Sequence, residues 1–408
     1  MYDAIVVGAR VAGAPTAMLL ARAGHRVLMV DRDAFPSDIM STHYIHPPGV
    51  AQLRKWGVLD HVIATSCPPI DTLLVERAGV RLSGMAPHPD VQFALCPRRT
   101  TLDVALVEAA VAAGAELRES FVVEDVIWEG ESVVGIRGHQ KGGETTEVRA
   151  RVVIGADGVH SMVARSVQAP EYNTRPAMGC GYYAYYDGVP MDGAQVYFLD
   201  DCIVFGFPTN DGQTCVVVEY PNSRFAELRL DYERAFDQSL QMVPDFAARV
   251  AQGHRVSRMT GVGEIPNYFR RPFGPGWALV GDAGYHKDPV TGQGIMDAFL
   301  DAELLAEALD AGFSGRQPMA EALAGYEQRR NERAMPLYEF TIQSVSFQPV
   351  PPEQVMLLKA LQGNQADTDR FLGLNCGVTS LAEFMDPANL GRIIAQAQQR
   401  AAVSPPAG

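Results

Sequence analysis

At 408 residues, with 47% apolar and 20% charged side chains, the chain is long enough for two or more units with cores of their own. Its formal net charge of −14 weighs against a nucleic-acid or anionic-membrane partner, and leaves any anionic cofactor to local donors such as a helix N-terminus. The six cysteines form no C-x-x-C pair, the N-terminus shows no secretory pattern, and no apolar run nears the ~18 residues of a membrane span, so a cytoplasmic protein with reduced, core-filling cysteines is expected.

Taken in chain order, AIVVGARVAGAPTAMLLARAGHRVLMVDRD is one βαβ unit. Ala4–Val7 predicts a buried strand, Ala12–Ala23 a helix stopped by Gly24, and Arg26–Val30 a second strand ending at Asp31. GVAQLRKWG and TTLDVALVEAAVAAGA predict helices, each closed by glycine. Residues 117–154 alternate as an antiparallel meander that returns into Gly-Ala-Asp-Gly. From Gly179 to Tyr220 the pattern is again β, in GYYAYYDGV, AQVYFLD, CIVFGFP and QTCVVVEYP. Residues 225–253 predict helix, WALVGD a strand, 291–311 a long helix, and the remainder to about 400 mostly helix with a disordered AVSPPAG tail. A nucleotide unit interrupted by an aromatic-rich antiparallel section sets a ligand pocket between the two.

Three motifs carry chemistry. In Gly8-Ala-Arg-Val-Ala-Gly13 the first glycine permits a tight bend and the last lets the helix lie close to the strand. Arg10 stands where the middle glycine is usual. Its guanidinium reaches either the pyrophosphate or a nearby carboxylate, or else turns to solvent. Free N–H groups around Val11 and Ala12 suit a pyrophosphate. Asp31, 23 residues after Gly8, suits a ribose 2′-hydroxyl and repels a 2′-phosphate, which leaves FAD or NAD. The second motif is GADGVHS with Asp157 at a strand end, and the third is GDAGYHKDPVTGQG, residues 281–294. Glycines in the third allow approach to a flat ring, and the following helix N-terminus favours negative charge on it.

GARVAG, GADGVHS and GDAGYHKDPVTGQG occur in the order and at the intervals of the three fingerprints of a known family. The chain resembles the FAD-dependent para-hydroxybenzoate-hydroxylase-like flavoproteins, which include single-component aromatic monooxygenases with related halogenases and prenyl reductases. The resemblance covers residues 1 to roughly 340. It implies an α/β fold: a Rossmann-like FAD-binding domain of the glutathione-reductase type, an inserted antiparallel β-sheet substrate domain and a helical C-terminus. The expected segments are 1–75, 97–170 and 260–340 for FAD, 76–96 and 171–259 for substrate, and 341–408 for the C-terminal helices.

The resemblance also implies roles. Gly8, Arg10, Val11, Ala12, Gly13, Asp31 and Arg32 hold the ADP half of FAD, and Arg99 sits near the flavin and its phosphates. Asp157 serves FAD and transient nicotinamide, and Gly281 with Asp282 meets the ribityl chain or pyrophosphate. Pro289, Gly292, Gly294 and Ile295 face the isoalloxazine. The departures are Arg10 itself, Met296 in place of a frequent asparagine, and Ala-Gly-Tyr-His, which shifts the histidine to His286. With no second G-x-G-x-x-G, NAD(P)H is expected as a transient reductant without a Rossmann unit of its own.

The reaction implied is hydroxylation of an aromatic, polyketide-like or otherwise hydrophobic small molecule by O₂ through a flavin C4a-hydroperoxide. His43 and His46, in the loop after the second strand, are the acid–base candidates, and they are too sparse for a metal site. Strand alternation sends Tyr183 and Tyr185 to one face as pocket candidates, with Tyr182 and Tyr186 opposite. A halogenase is expected to carry W-x-W-x-I-P, whereas Trp56, Trp128 and Trp277 lie far apart. A prenyl reductase is expected to carry Y-x-W-x-F-P, of which only Phe207-Pro208 is present, so C=C reduction is the weaker alternative. A non-catalytic flavin-binding protein would bind FAD without substrate-stimulated NAD(P)H oxidation.

Overall fold

Strands from three distant parts of the chain lie side by side in the first sheet. The computed structural model describes residues 1–403, so Ser404–Gly408 of the expected disordered tail lie outside the described residues. Thr145–Gly155 is flanked by Tyr2–Val7 on one side and Trp277–Leu279 on the other, both parallel to it, and Val27–Val30 follows beside Tyr2–Val7. Register aligns their carboxyl ends: Val7 pairs with both Val30 and Gly155, and Gly155 also pairs with Leu279. Ala4–Val7 and Val27–Val30 are buried at every position, as strands covered on both faces must be.

Alternation divides those strands between two cores. Ala4, Val6, Val27 and Met29 meet the helices Gly13–Arg22, Arg99–Ala112 and Gly294–Phe313. Ile5, Val7, Leu28 and Val30 meet the meander strands Phe121–Glu129 and Ser132–Gln140 through Phe121, Val126 and Ile136. The meander thus covers the face that the helices leave open.

The second sheet runs Gly179–Asp187, Gln213–Pro221, Ile203–Pro208, Ala194–Phe198, Leu73–Arg77, Val80–Gly84. Its core strands match the β pattern read from Gly179 to Tyr220. The Leu73–Gly84 hairpin is an addition, closed by Ala78 and Gly79 at φ 51° and 71°, and its first strand pairs in parallel with Ala194–Phe198. Tyr182, Ala184, Tyr186, Val216 and Val218 cover one face with Phe236, Leu240 and Phe246 from the helices Tyr232–Gln241 and Pro244–Val250. The opposite face turns toward the nucleotide unit.

A short third sheet joins Glu171–Arg175, Asn267–Arg270 and Tyr285–His286, and so anchors the segment that holds the third motif. Helices Pro352–Leu361, Gln365–Gly373 and Pro387–Val403 then lie against the hairpin through Val80 and Leu82. The fold is therefore α/β, with a Rossmann-like nucleotide-binding fold, a mostly antiparallel sheet inserted in it, and a helical C-terminal region. All six cysteines are free and buried. No helix among the described residues is long and apolar enough to cross a membrane.

Gly8 sits at φ +96°, where an added Cβ would also lie 2.5 Å from the Ala156 carbonyl oxygen. Gly8→Ala is expected to cost about 1–3 kcal/mol through backbone strain and the clash, read as a lowered urea midpoint with an unchanged m-value.

Candidate functional site

The three glycine turns leave the carboxyl ends of adjacent parallel strands and converge. Gly8 abuts the Ala156–Asp157 backbone, a Cβ on Gly13 would strike the Gly8 carbonyl at 1.8 Å, and one on Gly281 would lie 2.8 Å from the Ala12 Cβ. No side chain larger than hydrogen is accommodated at these three positions. The helix Gly13–Arg22 opens here, and the amide N–H groups of Arg10, Val11 and Ala12 find no acceptor among the described residues. The helix Gly294–Phe313 opens toward the same space, with the N–H groups of Gly294 and Ile295 likewise free.

A single cavity of about 840 Å³ runs from the first turn to the second sheet. Gly8, Arg10, Val11, Ala12, Asp31, Arg32, Arg99 and Asp157 line one end, and Gly281, Asp282, Pro289, Gly292, Gly294 and Ile295 line its middle. Gly13, His43 and Tyr185 stay outside the lining, whereas His46 and Tyr183 belong to it.

The polar groups at the nucleotide end fall into two kinds. Asp31 is 5% exposed, and its carboxylate accepts from the Ala9 and Asp33 amides at 2.9 and 3.0 Å, which braces the turn. Asp157 accepts from Met162 and Val163 N–H at 2.6 and 3.2 Å and from the Ser161 hydroxyl, so it caps the short helix Met162–Ser166; burial raises its pKa. The Asp282 carboxylate, by contrast, has no donor among the described residues, though its backbone carbonyl accepts from the Tyr268 hydroxyl at 2.7 Å.

Arg10 takes the carboxylate option. It donates to Asp103 and Asp33 at 2.9 Å each and to the Ser37 hydroxyl at 2.7 Å, while Arg99 Nε holds the other Asp103 oxygen at 2.8 Å. Asp103 is fully buried, so its charge is held by two arginines. The side chain at position ten thus folds away along the helix Arg99–Ala112 and leaves its backbone facing the cavity.

These features fit FAD. Two helix N-termini present free N–H groups, a carboxylate without a donor stands between them, and an added Cβ at Gly294 would meet nothing within 4 Å. Arg10–Ala12 and Asp31 are suited to the ADP half, Asp282 to the linking chain, and Pro289–Ile295 to a flat ring.

Past that ring region the cavity wall is apolar. Strand register builds a row in which Val75 pairs with Val196, Val196 with Phe205, Phe205 with Val217, and Val217 with Tyr183. Every member of the row lines the cavity. Phe340, Leu358, Phe371 and Leu372 from the C-terminal helices close it from the other side, a role the sequence pattern did not disclose. At the edge, Arg77 lies 4.8 Å over the Phe198 ring with no carboxylate partner among the described residues.

The histidines are both neutral at pH 7. His43 Nδ1 lies 2.6 Å from the Ser41 carbonyl, which can only accept, so Nε2 accepts from the Tyr185 hydroxyl. His46 Nε2 donates to the Thr291 carbonyl at 2.8 Å, tying its loop to the third motif. Burial pulls each down to about 4, and Arg99 adds to the effect on His43. Beside them, Asp297 on the long helix binds Lys287 at 2.6 Å and Arg333 at 2.6 Å; burial alone would raise its pKa, but the two cations hold it at about 2. This pair pins the third motif to the helix Met319–Ser344.

Residues 1–182 match the family described as FAD binding domain. The chain is similar to digeranylgeranylglycerophospholipid reductase 2 of Methanococcoides burtonii, 27% identical over 330 residues and 76% of each chain. It is also similar to kynurenine 3-monooxygenase of Salinispora arenicola, 27% identical over 359 residues, 80% of this chain and 75% of that one. Among solved structures, the flavin-dependent brominase Bmp2 superposes with TM-score 0.81 at 19% identity, covering 98% of this chain and 99% of that chain. PqsL of Pseudomonas aeruginosa, described as a probable FAD-dependent monooxygenase, superposes with TM-score 0.70 at 24% identity, covering 91% of this chain and 99% of that chain. Identities this low establish the shared fold.

Two outcomes are expected. A histidine depressed from 6.5 to about 4 on folding binds its proton more readily in the unfolded chain, so stability falls as pH drops through that window. Between pH 7 and pH 4 each depressed histidine removes roughly 3 kcal/mol of stability, and His43→Asn or His46→Asn should flatten the decline in urea midpoint between pH 6.5 and 4. Separately, Arg10→Ala strips one partner from buried Asp103 and should lower stability by about 1–3 kcal/mol in the same assay.

Proposed function

From its place among the FAD-dependent para-hydroxybenzoate-hydroxylase-like flavoproteins, to which this chain belongs, we propose that it is an NAD(P)H-dependent monooxygenase that hydroxylates an aromatic or polyketide-like small molecule in the cytoplasm. The observation that carries the reading is the single cavity that joins the glycine turns to an apolar, ring-lined wall.

FAD, when bound, supplies the redox centre that accepts electrons from NAD(P)H and passes them to O₂. The chain's own residues bind, orient and dry the site. The Arg10, Val11 and Ala12 amides and the helix dipole hold the pyrophosphate, and Asp31 keeps lone pairs free for a ribose hydroxyl. Asp282 accepts from the linking chain. Pro289, Gly292, Gly294 and Ile295 border the ring, where the Gly294 helix N-terminus favours negative charge. Val75, Val196, Phe205 and Val217, roofed by Leu358, Phe371 and Leu372, exclude water and offer van der Waals contact to a flat or hydrophobic substrate. Tyr183 adds an aromatic face at the end of that row.

A second reading, flavin-dependent reduction of a C=C bond of the geranylgeranyl-reductase type, is supported by the apolar run from Val75 to Val217 and by the name of the M. burtonii relative. Halogenation draws less support, because Trp56, Trp128 and Trp277 all lie outside the cavity lining.

Isotopically labelled O₂ separates the readings. NAD(P)H-reduced protein mixed with substrate should yield a product that carries the label; a product gaining two hydrogens and no label would replace hydroxylation by reduction. Asp282→Ala should lower FAD affinity at least about tenfold, the worth of one charge-assisted hydrogen bond, in a fluorescence titration of the apoprotein.

A further inference from the structure

Where the second sheet meets the third motif, two buried carboxyl groups face each other. Glu219 lies on the strand Gln213–Pro221, opposite Ile203 on one neighbour and Gly181 on the other, two residues from Val217 and on the same cavity-facing side. Asp288 immediately precedes Pro289 in the ring-bordering loop. A Cβ added at Gly179 would lie 2.4 Å from Glu219 Oε1 and 2.7 Å from Asp288 Oδ2, so both oxygens fill the space left by that missing side chain. The residues are 4% and 1% exposed, and both line the cavity.

Their surroundings supply no countercharge. Asp288 Oδ1 accepts from the Val290 N–H at 3.1 Å, and the Asp288 N–H donates to Asn267 Oδ1 at 2.8 Å. Glu219 Oε1 and Asp288 Oδ2 receive no donor from another side chain, the nearby Gly179 N–H favours the ionised Asp288, and neither carboxyl forms an ion pair among the described residues. Two ionised carboxylates in contact, out of water and without a cation, are strongly disfavoured, so one proton must lie between them.

We propose that Glu219 and Asp288 share a single proton and act as the proton donor of the chamber. Burial and the facing Asp288 charge push the Glu219 pKa well above the carboxylate range, and burial raises Asp288 as well. The other titratable groups that act on the pair are His286 on the same loop, which favours the ionised Asp288, and Cys180 on the adjacent strand. In the step, the carboxylic O–H bond breaks and its electron pair stays on the carboxyl oxygen. The proton forms a bond to the atom of the bound reactant that becomes anionic. The doubly ionised pair that this leaves is the state its burial disfavours, so it regains a proton from solvent as product departs and water enters the cavity. Both hydroxylation and C=C reduction need such a donor, and neither buried histidine holds a proton to give at pH 7.

The proposal rests on the reading of the cavity as a flavin and substrate site. Infrared difference spectra of the FAD-loaded protein at pH 7 should show a protonated carboxylic acid band that shifts in D₂O. Glu219→Gln and Asp288→Asn each preserve a hydrogen bond between the two groups, and each should abolish the band. FAD affinity should stay within about threefold, while kcat falls about 100-fold with little change in KM. A wild-type spectrum without the band, or a Glu219→Gln kcat within about threefold of wild type, overturns the proposal. Failure to bind FAD is a separate result that overturns the flavin reading, because the infrared band can be read on the protein without cofactor.

Discussion

Three backbone turns meeting at contact distance are the constraint on which the rest of this molecule depends. Gly8, Gly13 and Gly281 let the ends of the Tyr2–Val7, Thr145–Gly155 and Trp277–Leu279 strands come together as side chains would forbid. Because the strands are parallel and adjacent, every turn leaves the sheet on one edge, and a ligand spanning them touches all three sequence motifs. The helices Gly13–Arg22 and Gly294–Phe313 point their N-termini at that edge, so an acidic chain gains a local preference for anions from its backbone.

Buried charge is held in clusters, in which Arg10 also reaches Asp33 and Arg333 also reaches the fully buried Asp301. Asp103 sits between Arg10 and Arg99, and Asp297 between Lys287 and Arg333. Each triad ties a ligand-bordering loop to a helix behind it, the first to Arg99–Ala112 and the second to Met319–Ser344. The apolar chamber is made differently, by the two-residue period of five strands whose registers bring one small or aromatic side chain each to a single row. Polar loops on rigid supports and a wall of fixed register divide the cavity into an end that binds charge and an end lined mainly by apolar side chains.

Much of this architecture is legible in the sequence, for a physical reason. Backbone positions that demand glycine leave a residue signature, and so do buried parallel strands and alternating antiparallel ones. The fold and the motif order follow from those signals. What stays hidden depends on partners far away in the chain. Arg10 meets Asp103, 93 residues on, so its choice of carboxylate over pyrophosphate cannot be read locally. Alternation correctly puts Tyr183 and Tyr185 on one face, yet only the tertiary fold lets His43 occupy the Tyr185 hydroxyl and keep it out of the cavity. The Leu73–Gly84 hairpin joins a sheet formed more than a hundred residues later, and the apolar faces of the last helices do not name the wall they cover.

The place of Trp277–Leu279 in the first sheet has a temporal meaning for a chain made from its N-terminus. The carboxyl half of Thr145–Gly155 has its second neighbour, and the first turn its Gly281 contact, only after more than a hundred further residues have been synthesised. Until then the nascent nucleotide unit carries an open sheet edge, a template for wrong pairing with another strand. The intervening sheet, whose antiparallel strands are mostly joined by short turns, can close on itself first. The first turn therefore gains its full set of neighbours only when the returning strand seals the edge and Gly281 reaches Ala12.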